Sequence, residues 1–237
     1  MNTRSLLPLL PLLVACSKET RIEDLGIDGA ISSIYVKSGS GTIDVLPSED
    51  GTVQVTVTLL GKGTEFSYEV ADGELTLKKK CGFLNMGPCE VDFAITAPDN
   101  VSLDLDADDG GISVTDWTGP VTAESKHGDV SIDGCDGNLI VDARSGSISG
   151  ADIGSSHLGI VGGSGEIQVD VVNSDFQDIT IDSGSGDVTL YVPSAGAYNY
   201  TTDAGGQVTI NNVNFNTNSS QTIDITTGSG DVNLLGQ

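Results

Sequence analysis

One glycine recurs through most of this 237-residue chain in a fixed setting, and that recurrence leaves few folds open. Taken as the glycine that precedes an apolar-x-apolar pair, it stands at Gly41, Gly110, Gly128, Gly146, Gly165, Gly186, Gly206 and Gly230. After the first, the steps are 18, 18, 19, 21, 20 and 24 residues. Two positions on come Ile43, Ile112, Val130, Ile148, Ile167, Val188, Val208 and Val232. Four positions on come Val45, Val114, Ile132, Gly150, Val169, Leu190, Ile210 and Leu234, apolar except for Gly150. Seven before the glycine stand Ile34, Leu103, Val121, Leu139, Leu158, Ile179 and Ile223, and five before it Val36, Leu105, Ala123, Val141, Ile160, Ile181 and Ile225. The Gly206 unit breaks this: Tyr198 and Tyr200 sit one residue out of register, which points to a bulge or a longer turn.

Each unit therefore reads apolar-x-apolar, glycine turn, apolar-x-apolar, and period-two alternation puts both members of a pair on one face. One unit cannot bury that face, but units stacked at about 4.8 Å can. The expectation is an all-β chain: a β-solenoid, single-stranded and β-helix-like, of seven to eight coils with Ile, Val and Leu columns inside. Seven coils from Leu103 to Leu234 would rise roughly 30–35 Å, with right-handed coiling expected from strand twist. A β-sandwich of hairpins competes, since Gly-Ser-Gly turns also join antiparallel strands. The near-constant period and the column identities favour the solenoid.

Ahead of Gly110 the pattern changes. Val53, Val55 and Val57 alternate with polar residues, as do Phe66, Tyr68 and Val70, then Leu75 and Leu77, then Val91, Phe93 and Ile95. These read as longer antiparallel strands joined by Gly-Lys-Gly and Asp-Gly turns. Residues 31–100 thus form an N-terminal β region with longer antiparallel strands, and 101–237 the solenoid repeats, in one continuous domain. Residues 16–30 are expected to be a tether.

The first fifteen residues read as a targeting segment. Arg4 is followed by an apolar run, Ser5 to Val14, too short for a helix of about 20 residues to cross a bilayer. Leu13-Val14-Ala15-Cys16 resembles the lipobox of bacterial lipoproteins. The resemblance implies cleavage before Cys16, a diacylglycerol on its thiol and an acyl chain on the new amino group. Two or more acyl chains anchor stably where one does not. Ser17 lacks the acidic character of an inner-membrane retention signal, so outer-membrane delivery is expected.

Removing residues 1–15 takes away Arg4 and no acid, leaving 9 Lys and Arg against 34 Asp and Glu, a net of about −25. Such a charge excludes nucleic acid as a natural partner, because the phosphate backbone needs Lys and Arg to displace its counterions. It confers solubility and can draw in divalent cations.

Ile95-Thr96-Ala97-Pro98, then Leu103-Asp104-Leu105, then the repeated units resemble the bacterial β-strand-repeat candidate-adhesin domain. Ser185-Gly186-Asp187-Val188-Thr189-Leu190-Tyr191-Val192-Pro193 is especially similar, and the likeness spans roughly residues 30–236. It implies a β-solenoid envelope protein, often lipid-anchored or exported, with no shared catalytic residues.

Three cysteines remain beyond Cys16. Cys81 and Cys89 bracket a short loop between two expected strands, so a disulfide is expected in an exported protein. Cys135 has no evident partner, and its pairing with Cys81 or Cys89 stays open. No G-x-S-x-G, H-E-x-x-H, C-x-x-C or G-x-G-x-x-G motif occurs. His127 and His157 read as solvated turn residues, Trp117 as a turn anchor, and Lys78-Lys79-Lys80 as a guarded strand edge.

Acids are the most regular polar feature. Asp106, Glu124, Asp142 and Asp182 stand four before the glycine, and Asp129, Glu166, Asp187 and Asp231 one after it. Asp106, Glu124 and Asp142 fall in three consecutive coils, so they stack with like charges about 5 Å apart, repelling by nearly 1 kcal/mol even in water. Either solvent screens that ladder or a weakly held Ca²⁺ bridges it. Beyond such a site no cofactor is expected.

A non-enzymatic binding or structural role in the cell envelope follows, with an unidentified protein, a surface polymer or another copy as partner. The chain stops at Gln237, straight after its last unit, so self-association or strand addition through the solenoid end is expected. A polysaccharide-active β-helix enzyme is one alternative, with Lys126 near Glu124 and Arg144 near Asp142 as its only carboxylate–base pairings. An envelope-stress sensor or scaffold is another.

Overall fold

The computed structural model describes residues 20–82 and 89–237, which form 22 strands and no helix. Seven strands make the N-terminal part: β1 (Thr20–Ile27), β2 (Ser33–Gly39), β3 (Ile43–Pro47), β4 (Val53–Leu60), β5 (Thr64–Ala71), β6 (Glu74–Cys81) and β7 (Glu90–Ala97). Three coils follow, β8 (Ser102–Ala107) with β9 (Ile112–Thr115), β10 (Val121–Ser125) with β11 (Val130–Asp133), and β12 (Leu139–Ala143) with β13 (Ile148–Ile153). Two more are β14 (His157–Gly162) with β15 (Ile167–Val171) and β16 (Asp178–Ser183) with β17 (Val188–Val192). Last come β18 (Ala197–Ala204), β19 (Val208–Asn211), the short β20 (Asn214–Phe215), β21 (Thr222–Thr227) and β22 (Val232–Gly236).

Each coil gives one strand to each of two 11-stranded sheets. The first runs β1-β4-β7-β3-β9-β11-β13-β15-β17-β22-β19, the second β5-β6-β2-β8-β10-β12-β14-β16-β21-β18-β20. Coil strands pair in parallel and in register: Ile112, Val130, Ile148, Ile167 and Val188 face one another in sequence. Leu103, Val121, Leu139, Leu158 and Ile179 do the same in the other sheet. Both rows are buried and belong to a single core. The solenoid reading therefore holds, with the antiparallel pairs β1–β4, β4–β7 and β5–β6 confined to the N-terminal part.

Three features depart from expectation. Residues 20–27, read as tether, form β1, because Leu25 and Ile27 pack half-buried against the core while β4 pairs with the strand along its length. In the N-terminal part, β6 and β7 do more than form hairpins, since they lie parallel to β2 and β3 as a further coil. And the final units do not stack in chain order. The coil β21–β22 sits between β16–β17 and the coil β18–β19. Its four column residues, Ile223, Ile225, Val232 and Leu234, are all fully buried, so it fits an interior place. The Gly206 unit carries Tyr198 and Tyr200 out of step and takes the outer one.

Spacing between coils is set at the repeat glycine. A Cβ on Gly128 would lie 2.0 Å from the Gly110 carbonyl oxygen, and one on Gly146 2.0 Å from that of Gly128. Gly165, Gly186 and Gly230 make the same approach, at 2.1, 1.8 and 2.2 Å, to the glycine carbonyl of the neighbouring coil. Only a residue without a side chain allows the turns to close at strand spacing. Three residues before every repeat glycine except Gly206 runs a buried row of small residues, Ser38, Ala107, Ser125, Ala143, Gly162, Ser183 and Thr227. Ser38 and Ser183 donate to the carbonyls of Gly41 and Gly186 at 2.7 and 2.9 Å, and the Gly230 N–H donates to Thr227 Oγ1 at 2.8 Å. These bonds satisfy turn groups that burial would otherwise leave unpaired.

Gly150, the exception in its column, is explained by a register shift between Gly150 and Ile153. The bulge passes through Asp152 at φ 50° and brings the buried Ile153, in register with Val171, against Gly150.

Gly146→Ala is expected to cost about 2–3 kcal/mol by forcing two coils apart. Gly26→Ala, with nothing within 4 Å of the added carbon, should be nearly neutral. Urea unfolding of the two variants checks both.

Candidate interaction surface

Asp106, Glu124 and Asp142 do stand in one row on β8, β10 and β12, each paired in register with the next. One end of the row is relieved by a cation. Lys37, on β2 beside Asp106, binds that carboxylate, and the bond raises the Lys37 pKa above its ordinary value. Lys126 binds Asp108 at the adjoining turn, and this bond holds the Asp108 carboxyl below the usual carboxylate range. Among the described residues no three His, Cys, Asp or Glu side chains are arranged to hold a metal ion. Lys37 thus takes one end of the row, while Glu124 and Asp142 carry no ion pair among the described residues. Both pairs are exposed and of small energetic weight.

The second acid set has a role that spacing alone did not reveal. Asp129 accepts the Ser147 N–H at 2.8 Å, Asp187 the Asp231 N–H at 2.8 Å, and Asp231 the Gln207 N–H at 2.6 Å. Each carboxylate clamps the backbone of the next coil in space, and the last of these bonds crosses from the interior coil β21–β22 to the outer one. The histidines also bridge coils: His127 Nδ1 lies 2.8 Å from Asp109, and His157 Nδ1 pairs with Asp178. Three of the four acids that follow the repeat glycine are thus structural.

Cys81 and Cys89 form a disulfide with Cα atoms 6.0 Å apart, tying the end of β6 in one sheet to the start of β7 in the other. Cys135 is free and buried, which pushes its thiol up to about 11. Trp117 is fully buried and donates its Nε1–H to the Val101 carbonyl at 2.8 Å, the anchor expected of it. Lys78 lies over the Tyr35 ring at 5.1 Å, on the outer face of β6. Cys16 lies outside the described residues.

What spacing missed is the end of the stack. β19 pairs only with β22, so its other edge is unpaired among the described residues. Val208 and Ile210 are in register with the buried Val232 and Leu234, yet they are 44% and 39% exposed. Phe215, against Tyr200 with ring centroids 4.8 Å apart, is 55% exposed. Residues 204–222 contain no Asp, Glu, Lys, Arg or His in a chain of net charge −24. That charge-free run was legible in the sequence. The end expected near Gln237 lies instead at β19 and β20.

Over residues 25–235 the chain matches the family described as Toastrack DUF4097. The chain belongs to that family. This Toastrack domain is similar to a candidate adhesin from Bacteroides fragilis, at 15% identity over 92% of this chain and 98% of that one, with a TM-score of 0.56. A candidate cell adhesion protein from Clostridium sporogenes is 16% identical over 93% of this chain and 100% of its own, with a TM-score of 0.42. A candidate lipid-binding protein from Parabacteroides distasonis is 11% identical over 90% and 96%, also at 0.42. At such identities the likeness is one of fold. No curated protein matches the Toastrack chain.

Because burial holds the Cys135 thiol protonated to about pH 11, it should resist a thiol reagent at pH 8 in the native Toastrack domain and react once urea unfolds it. Replacing Cys81 with Ser is expected to cost about 2–3 kcal/mol in the same unfolding assay, by freeing the loop it closes.

Proposed function

We propose that this Toastrack chain is a lipid-anchored protein of the bacterial cell envelope, sited at the outer membrane, that acts by binding and not by catalysis. The observation that carries the reading is the uncovered, charge-free end of the stack, placed opposite the N-terminal strand. Cys16 precedes Thr20 by four residues, a reach of about 14 Å at most. A lipid on Cys16 would therefore hold the β1 edge close to the bilayer. Ten strand spacings of about 4.8 Å then carry the β19 edge roughly 50 Å away. The molecule becomes a short post whose free end is suited to contact.

The polar clusters support the same reading. Glu124, Lys126, Asp142 and Arg144, the pairings a polysaccharide-cleaving enzyme would use, line a cleft of about 40 Å³. That is room for about one water, and Lys126 is already engaged by Asp108. A sensor or scaffold role would use the same free end and differ only in what is bound.

Mass spectrometry of the mature N-terminal peptide from the membrane fraction should show a diacylglyceryl-modified Cys16, and Cys16→Ala should release the protein from that fraction. Unmodified Cys16 in a freely soluble protein overturns the anchor. A photo-crosslinker in place of Ile210 should trap a partner in intact cells, while one in place of Ser131, on the flat outer face of β11, should not. Equal yields at both places count against the end as the binding surface.

A further inference from the structure

The two ends of the stack are built differently, and the difference identifies what the free end takes. Edge strands usually carry charge that keeps other strands away. The N-terminal edges do: β1 displays Arg21, Glu23 and Asp24, and β5 displays Glu65 and Glu69. At the opposite end β19 and β20 hold Val208, Ile210 and Phe215 among Thr and Asn, with no charge at all. Along β19 and β20 no charge discourages pairing, and the exposed Asp203 of β18 lies in the other sheet.

Electrostatics then selects the occupant. A second copy of this chain, also at net −24, is repelled by the acidic faces, and the repulsion acts over the Debye length of about 8–10 Å. The run 204–222 is the stretch where two copies can meet without opposing charges. The free β19 edge offers unpaired backbone groups, and an antiparallel union of two such edges is self-complementary about a two-fold axis. It would continue the first sheet across the junction and cover Val208 and Ile210 with their counterparts. From these features we infer that the β19–β20 end is the docking site for a second copy, joined end to end by strand pairing. The direction of that union rests on the lipid-anchor reading. Two posts held at their far ends and joined at their free ends lie on facing membranes, so the pairing is a contact between surfaces and not within one.

Sedimentation velocity of the membrane-extracted protein in detergent tests the pairing. A dimer forming at tens of micromolar is expected, with Ile210→Asp weakening it at least tenfold and Ile22→Asp, at the opposite end, leaving it unchanged. Phe215→Asp, at a more exposed position, should weaken it as well and guards against a folding defect in the first variant. A monomer up to about millimolar concentration, or a dimer indifferent to both substitutions at this end, overturns the proposal. The same protein reconstituted into phosphatidylethanolamine–phosphatidylglycerol vesicles should cluster them, and Ile210→Asp should abolish clustering. Dimers in detergent without clustered vesicles would leave the pairing standing and defeat the anchor at the far end.

Discussion

The architecture depends on one close approach, the glycine of each coil against the glycine carbonyl of the next. Gly186 comes so near Gly165 that an added Cβ would fall 1.8 Å from its oxygen. Strands in a sheet keep their spacing through backbone hydrogen bonds, but the turns joining the two sheets must keep the same spacing or the coils splay. Glycine permits this, and the rest follows: the aliphatic rows align, the small residues at Ser125 and Ser183 reach turn groups, and Asp129 and Asp187 reach the backbone of the neighbouring coil.

Much of this was readable before any coordinates. Periodic Ile, Val and Leu fix which faces are buried, and a repeat of near-constant length has few ways to bury them other than by stacking. What the period could not give was the spatial order of the last two units. Both carry a glycine and a Val-x-apolar pair. Only the upstream half distinguishes Ile223 and Ile225 from Tyr198 and Tyr200, and a one-residue offset does not say which coil goes inside. β1 is not legible in the sequence because its inward residues end in just two aliphatics, Leu25 and Ile27, and its pairing partner lies some thirty positions away. The Gly150 exception could be seen but not interpreted, since Ile153, which packs beside it, reaches the interior through a bulge.

The acidic character proves to be three different things. Asp106 and Asp108 are neutralised by Lys37 and Lys126. Asp129, Asp187 and Asp231 are acceptors for backbone N–H groups, a use that regular spacing alone does not separate from ligand binding. Of the remainder, Asp109 and Asp178 meet histidines and most of the others face solvent, where their charge repels a second copy. Against that background the few uncharged residues of the β19 end matter more than any cluster of charge.

The threading of the final strands bears on how the molecule comes into being. As the chain emerges in order, residues 197–211 are made before 222–236, yet they lie outside them in the finished stack. They cannot dock on β16 and β17 without blocking the place that β21 and β22 must fill. Assembly from the amino-terminal side can therefore run ahead only as far as β17. The outer coil can take its final place only once β21 and β22 have theirs. A solenoid that looks as if it could grow one turn at a time instead closes with a single late latch.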